Sequence, residues 1–258
     1  MRNRMLKAFK VKIGNVHNIG KRENQQDSFG ISDLSNKKLC KEKGIFAVVA
    51  DGMGGLSGGA EISALVTTYM LNYFAGSNTE DISGLLLNML LSANQEVRKY
   101  LVNNDNRHSG STVVNVIIKE NTLYFLAVGD SRIYLFRGGA LLQLNREHTY
   151  GSELDERAAR GELSIEEARN DAQRTALTSY IGMDKILHID RNLRPIPLMK
   201  GDRILLMSDG IFGTLSEEEL VTIGKLHAYE GAIRMEKMIV SKEKENQDNY
   251  TSIIIEIE

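Results

Sequence analysis

Little in this sequence gives its chemistry away quickly. Its 258 residues contain one cysteine, two prolines and no tryptophan. Cys40 alone cannot close an internal disulfide, which fits a reducing compartment, and the cytoplasm is the expected location. With two prolines and no Pro-rich linker, a hinge has no obvious place, so residues 1–258 read as a single domain. A surplus of one charge is also lacking. The formal net charge is −2, and without a basic excess there is no electrostatic case for nucleic acid as a partner. No apolar run reaches the ~18 residues needed to span a bilayer, so no membrane partner is expected. Residues 1–10 carry Arg2, Arg4, Lys7 and Lys10 but no apolar stretch of a secretory leader, and read as a basic solvated arm. The glycine-rich stretch has neither GxGxxG nor GxxxxGK[ST], and no GxSxG elbow is present for a Ser-His-Asp hydrolase.

What is present centres on Ala47-Val48-Val49-Ala50-Asp51-Gly52-Met53-Gly54-Gly55. The apolar run Ile45 to Ala50 reads as a buried strand, ending at Asp51 and followed by glycines at 52, 54, 55, 58 and 59. A carboxylate at the mouth of a buried strand needs a partner, because an unpaired buried charge is costly. Glycine directly after it lets the backbone approach a ligand and frees a carbonyl to act as a hard oxygen donor. The plainer alternative is a turn in which Asp51 caps a helix starting near Ser57.

Strands at 11–17 and 28–34 flank the polar segment Gly20–Asp27. Ile62, Leu65, Val66, Tyr69 and Met70 recur at helical spacing and predict a helix over 57–74; Ile82, Leu85, Leu86, Met89, Leu90, Ala93 and Val97 predict another over 80–102. The period then shortens. Strands at 112–119, 122–128, 132–137 and 140–144, separated by Glu120-Asn121, Gly129-Asp130-Ser131 and Gly138-Gly139, form a meander of hairpins. Residues 146–176 are charged and helix-forming, with Gly161 dividing two halves. Strands at 187–193 and 203–208 follow, the second ending Ser208-Asp209-Gly210. Helices at 216–224 and 229–240 lead to Asp248-Asn249 and a last strand at 252–257.

Four acidic residues, Asp51, Asp130, Asp209 and Asp248, thus sit at strand ends or turns. As turn residues each is unremarked. Converging, they would repel one another severely unless divalent cations lay between them, and oxygen donors without a His or Cys cluster point to Mg²⁺ or Mn²⁺ rather than Zn²⁺. Spacing alone does not establish convergence.

The set Arg22…Gln26-Asp27, Val49-Ala50-Asp51-Gly52-Met53-Gly54-Gly55, Ser109-Gly110-Ser111-Thr112, Val128-Gly129-Asp130-Ser131-Arg132, Leu177-Thr178…Gly182, Gly201-Asp202-Arg203…Ser208-Asp209-Gly210 and Asp248-Asn249-Tyr250-Thr251 resembles the bacterial form of the metal-dependent type 2C protein Ser/Thr phosphatases. The motifs occur in the family's order over residues ~13–257. This resemblance implies an α+β fold: a four-layer α-β-β-α sandwich of two antiparallel sheets with helices on the outer faces. It implies two Mn²⁺ or Mg²⁺ ions per chain, bridged by Asp51, with the Gly52 carbonyl on one and Asp209 and Asp248 on the other. Asp130 with Asp209 would form a weaker third site. Arg22 would grip the substrate phosphate, Gln26, Asp27 and Asn249 would support the ligands through hydrogen bonds, and 146–176 would be a flap beside the site. Phosphoserine and phosphothreonine monoesters on proteins, products of a bacterial Ser/Thr kinase, would be hydrolysed by direct attack of a metal-bridging water, in a monomeric enzyme. The sequence departs from the pattern at Gln25, where relatives carry Asn, at Gly213, where many carry Asp, and at Met53, where some carry a histidine proposed as general acid.

The rival from another class is a catalytically weak phosphatase fold that binds phosphoproteins in a regulatory role. Gln25 and Gly213 support it; Asp51, Asp209 and Asp248 argue against it. A Cys-based phosphatase is excluded because Cys40 is expected in a Lys/Glu-rich loop without the Cys-x5-Arg cradle.

Overall fold

The structure, a computed structural model, describes residues 9–54, 58–104 and 109–258. Strands β1 (Val11–Asn18) and β2 (Asp27–Ile31) bracket the polar loop; α1 (Lys37–Lys43), β3 (Ile45–Met53), α2 (Gly58–Gly76) and α3 (Ile82–Asn103) follow. The meander comprises β4 (Gly110–Ser111), β5 (Val113–Lys119), β6 (Thr122–Val128), β7 (Arg132–Arg137) and β8 (Ala140–Gln143). After α4 (Tyr150–Ala159) and α5 (Ile165–Asn170) come β9 (Asp190–Arg191), β10 (Ile196–Pro197) and β11 (Arg203–Met207). The chain ends with α6 (Asp209–Phe212), α7 (Glu217–Gly224), α8 (Ala228–Ser241) and β12 (Tyr250–Ile257).

One sheet runs β1-β12-β11-β7-β8 and the other β10-β6-β5-β3-β2, with β4 added to β3 and β9 to β6. Strand alternation sorts the core into three layers. Ala47 and Val49 of β3 meet Ile204 and Leu206 of β11 and Ile253 and Ile255 of β12 between the sheets. Phe46, Val48 and Ala50 turn the other way, onto Ile62, Val66 and Met70 of α2 and Leu86, Met89 and Leu90 of α3. Leu205, Met207 and Ile254 likewise face Leu220, Ile223, Met235 and Ile239 of α7 and α8. A strand apolar on both faces has to be covered on both, which forces the α-β-β-α order. The amide of Ala228 that opens α8 is met from β12 by the buried Glu256 carboxylate (3.0 Å), which also holds His227 (2.8 Å) and Arg203 (3.3 Å).

Several expected boundaries move for local reasons. The Lys/Glu-rich segment around Cys40 is a helix, α1, because Asn36 caps it by accepting from the Leu39 amide (3.0 Å) and its residues are good helix formers. Asp81 does the same for α3, accepting from Gly84, so that helix begins at Ile82 rather than Glu80. The strand expected over 187–193 contracts to Asp190–Arg191, because the Asn192 side chain replaces the ladder, accepting from Phe125 N (2.7 Å) and donating to Leu123 O (2.9 Å). β2 stops at Ile31 rather than 34, giving way to a turn closed by Asp33 and Ser35. The reading of Asp51 as a cap of a helix from Ser57, the Gly55 position and most of the basic arm and of the 103–108 loop lie outside the described residues. Among the described residues, no helix is long and apolar enough to cross a membrane.

Candidate active site

The central strand does not end where its apolar run ends. β3 continues through Asp51 and Gly52 to Met53, since those residues still find neighbours: Asp51 opposes Asp27 in β2, and Gly52 opposes Ser111 in β4. The Asp51 carbonyl accepts from Thr112 N (2.8 Å) and Ser111 Oγ (3.0 Å), and its amide donates to Thr112 Oγ1 (3.1 Å). Backbone clamped on both sides fixes the carboxylate. A Cβ on Gly52 would sit 2.1 Å from the Gly59 carbonyl oxygen, so only glycine lets the first turn of α2 lie against the strand here.

From the other sheet, β11 delivers Asp209 to the first position of α6, and Asp248 lies two residues before β12 begins. Antiparallel pairing of β11 with β12 brings these two ends to one edge of the sandwich. Ser208 links the sheets there: its hydroxyl donates to Asp27 Oδ2 (2.7 Å) and accepts from Thr251 N (3.0 Å).

Five carboxylates meet at this edge. Asp51 is pushed well above the carboxylate range, by burial first and then by Asp27, Asp209, Asp130 and Asp248. Burial raises Asp27 to about 7, with Asp209 and Asp248 adding to it and hydrogen bonds from Thr251 and Ser208 partly opposing. Asp130 also rises to about 7, through burial and then Asp209. Asp209 is raised by burial and Asp248, against hydrogen bonding with Asp51 and Gly210 N and the pull of Arg22. Two carboxylates within hydrogen-bonding reach must share a proton or a cation. Asp27 Oδ1 is buried without a hydrogen-bond partner among the described residues. Crowded, desolvated carboxylates with an exclusively oxygen donor set suit Mg²⁺ or Mn²⁺. Among the described residues no three His, Cys, Asp or Glu side chains close around one point.

The loop between β1 and β2 covers the edge. Arg22 donates to Asp248 Oδ2 (2.7 Å), which sets its guanidinium beside the carboxylates with further N–H groups to spare. Asn249 holds the loop from beneath: its Oδ1 accepts from Gln26 N (2.7 Å), and its Nδ2 donates to Ile19 O (2.8 Å) and Asn24 O (3.1 Å). The Gln26 side chain donates to Gly54 O (3.2 Å), and the Gln26 backbone carbonyl accepts from Gly52 N (3.0 Å) and Ser63 Oγ (2.6 Å). The result is a cleft of about 560 Å³ lined by Arg22, Gln26, Asp51, Gly52, Asp209, Asp248 and Asn249, with Lys21, Glu23, Asn24, Met53 and Gly54 completing its walls.

Asp27 lies behind this cleft, almost wholly buried, rather than on its surface. Asp130 stands to one side in the turn between β6 and β7, held by a Gly129 N to His148 Nδ1 bond (3.1 Å) and a His148 N to Gly129 O bond (2.9 Å). The helical pair α4 and α5 follows from there and is closed by Arg174, which reaches Asp155 with both terminal nitrogens (2.9 and 2.7 Å). Sequence reasoning gave no role to Ser208, Thr251, Ser111 or Thr112. Their signal was their place inside the motifs Ser109–Thr112, Ser208–Gly210 and Asp248–Thr251.

The family description "Protein phosphatase 2C" matches residues 14–240. A Streptococcus pyogenes protein of the protein phosphatase 2C type is 32% identical over 218 residues, covering 83% of this chain and 84% of its own. A Listeria innocua serine/threonine phosphatase is 28% identical over 225 residues, covering 84% and 86%. Among solved structures, the S. agalactiae serine/threonine phosphatase aligns over 96% of this chain and 100% of its own, with a TM-score of 0.83 at 24% identity. The catalytic domain of the phosphatase PstP, solved with two manganese ions, aligns over 97% and 99% with a TM-score of 0.76 at 23% identity. Both show the same fold. A match across most of the chain, and a carboxylate-lined cleft at the edge where its motifs converge, have one reading: the chain belongs to the protein phosphatase 2C family.

Proposed function

We propose that this chain hydrolyses phosphoserine and phosphothreonine monoesters on proteins, using divalent cations held by Asp51, the Gly52 carbonyl, Asp209 and Asp248. The observation that carries the reading is the gathering of these groups, from both sheets, in one cleft walled by a guanidinium. When bound, Mn²⁺ or Mg²⁺ would supply a water acidic enough to yield hydroxide near neutral pH and would offset the charge of the phosphate. Asp51, the Gly52 carbonyl, Asp209 and Asp248 would hold two such ions, and Asp130 with Asp209 would hold a third more weakly.

The chain's own groups do the rest. Arg22 presents a planar donor to two phosphate oxygens and stabilises charge on them as the ester bond breaks. Asn249 keeps the Arg22 loop seated, so the guanidinium is positioned before substrate arrives. Asp27, Gln26 and the Ser208 hydroxyl hold the strand ends that carry the ligands. No histidine lines the cleft among the described residues, and Met53 occupies the wall position at which some relatives carry a histidine. The leaving serine or threonine oxygen therefore takes its proton from water.

The same reading takes the whole chain as one domain, with 146–176 as a flap beside the site. It sets the enzyme as a monomer in the cytoplasm, acting on the products of a Ser/Thr kinase. The non-catalytic alternative gains nothing here, because Gln25 and Gly213 leave the carboxylate cluster and Arg22 in place. An aryl phosphate assay separates the two. Wild-type protein should turn over with millimolar Mn²⁺, stop with excess EDTA and recover on re-addition. Full activity in excess chelator, or none with Mn²⁺, would overturn the reading.

A further inference from the structure

Next to the catalytic cleft lies a second depression of about 450 Å³, on the side of α8. Its exposed apolar side chain is Val240, with the almost wholly buried Ile239 and Tyr250 also lining it, and its rim comes from Lys21, Lys244 and Glu243. Only the turn Asn18–Lys21 separates it from the cleft, and Lys21 lines both.

That divider is packed down tightly. Gly20 has φ +63° and lies so close to the segment before β12 that a Cβ would come within 2.3 Å of the Asp248 carbonyl oxygen. The Lys21 amide donates to Gln247 O (2.9 Å), pinning the turn there. Lys21 is then the side chain that the divider raises towards both hollows. The base is equally fixed. Gln247 donates to Gly210 O (3.0 Å) and accepts from Thr214 Oγ1 (2.8 Å), tying the depression to the segment that carries Asp209. Against these, Val240 is 62% exposed on the last turn of α8, an aliphatic side chain left facing a prebuilt hollow.

We infer that this depression is a subsite for the phosphoprotein, taking one apolar side chain a few residues from the phosphorylated serine or threonine. The inference rests on the phosphatase reading. A protein with its phosphate in the cleft must lead its chain away over the rim, and the shared wall at Lys21 makes the second depression the adjoining one, within a few residues at ~3.3 Å per extended residue. The hollow is of a size for one bulky side chain and its neighbours. Two rim lysines against one glutamate favour a peptide without basic residues at that point.

The experiment uses Mn²⁺-loaded full-length enzyme, an aryl phosphate that reaches only the cleft, and phosphothreonine peptides in which a single leucine is moved stepwise along either flank. The expected result is a rise in kcat/KM of about ten-fold at one or two positions, the usual worth of an apolar side chain in a pocket. Val240→Asp should abolish that rise while leaving aryl phosphate turnover unchanged, and Val240→Leu should keep it. Peptide hydrolysis without positional preference, or a preference that survives Val240→Asp, overturns the subsite alone. So does a Val240→Asp effect confined to self-association, which would assign the hollow to a contact between copies. Absence of hydrolysis of every substrate by wild-type enzyme overturns the phosphatase reading, and this inference with it.

Discussion

Asn249 offers a sharp test, because the substitution that looks most conservative should be the most damaging. Its side chain makes three hydrogen bonds to the loop bearing Arg22: one accepted from Gln26 N at 2.7 Å, and two donated to the carbonyls of Ile19 at 2.8 Å and Asn24 at 3.1 Å. Each contributes about 1 kcal/mol net. Water can satisfy part of what Asn249→Ala exposes, so roughly 2 of those 3 kcal/mol should be lost from loop order. If Arg22 acts only when the loop is seated, this corresponds to about a 30-fold fall in kcat/KM for a phosphopeptide. Asn249→Asp keeps the acceptor for Gln26 N but turns a carboxylate oxygen onto two carbonyl oxygens. Its loss should equal or exceed that of alanine, although aspartate is nearly isosteric. Steady-state kinetics across a Mn²⁺ titration, with amide hydrogen exchange over residues 19–26, gives both readouts. Wild-type kcat/KM in Asn249→Asp would refute the reasoning. Full recovery of Asn249→Ala by excess Mn²⁺ would show that the residue acts through metal affinity and not through the loop.

Three other outcomes follow from the same geometry. Arg22→Ala should chiefly raise KM for a phosphopeptide, whereas Asp209→Asn should abolish kcat; equal losses in both parameters for the two variants would reverse the assigned roles. Asp130→Asn should retain the fold, since asparagine suits the same turn, yet lower phosphopeptide turnover by about ten-fold, or ~1.4 kcal/mol in the barrier; wild-type turnover at saturating Mn²⁺ would leave Asp130 a turn residue. Finally, Asp27 and Asp130 are raised to about 7 in the folded chain from an ordinary value of 3.8. A carboxyl group that binds its proton more tightly when folded contributes stability at low pH, and loses it as pH rises from about 4 through about 7. Chelated protein should therefore unfold at lower urea near pH 8 than near pH 6, and Mn²⁺ should raise the midpoint most at the alkaline end; a pH-independent midpoint in EDTA would contradict the crowding of these carboxylates.

Sequence by itself determined most of the elements and put forward the residues of the candidate site. Apolar strands on both faces, two long amphipathic helices early and two more late, and the shift to a meander between them are set by local spacing, which side-chain periodicity records directly. The family resemblance named Arg22, Gln26, Asp27, Asp51, Gly52, Asp130, Asp209, Asp248 and Asn249; in the structure seven of them line one cleft, with Asp27 buried behind it and Asp130 to one side. Tertiary structure alone decided how they meet. Whether β3 stops at Ala50 or runs on through Asp51 depends on Asp27, Ser111 and Thr112 as partners, two of them about sixty residues away in the chain. Whether Asp51 is an ordinary carboxylate or one pushed far upward depends on burial and on four other aspartates, none nearer than 24 positions. The hinge-like seat of the Arg22 loop on Asn249, and the Ser208 hydroxyl between the sheets, join residues 225 and 181 positions apart. Contacts of this kind leave no period in the sequence, because hydrogen bonds and Coulomb forces act on distance in space, and strand pairing within each sheet together with the packing of the two sheets sets that distance.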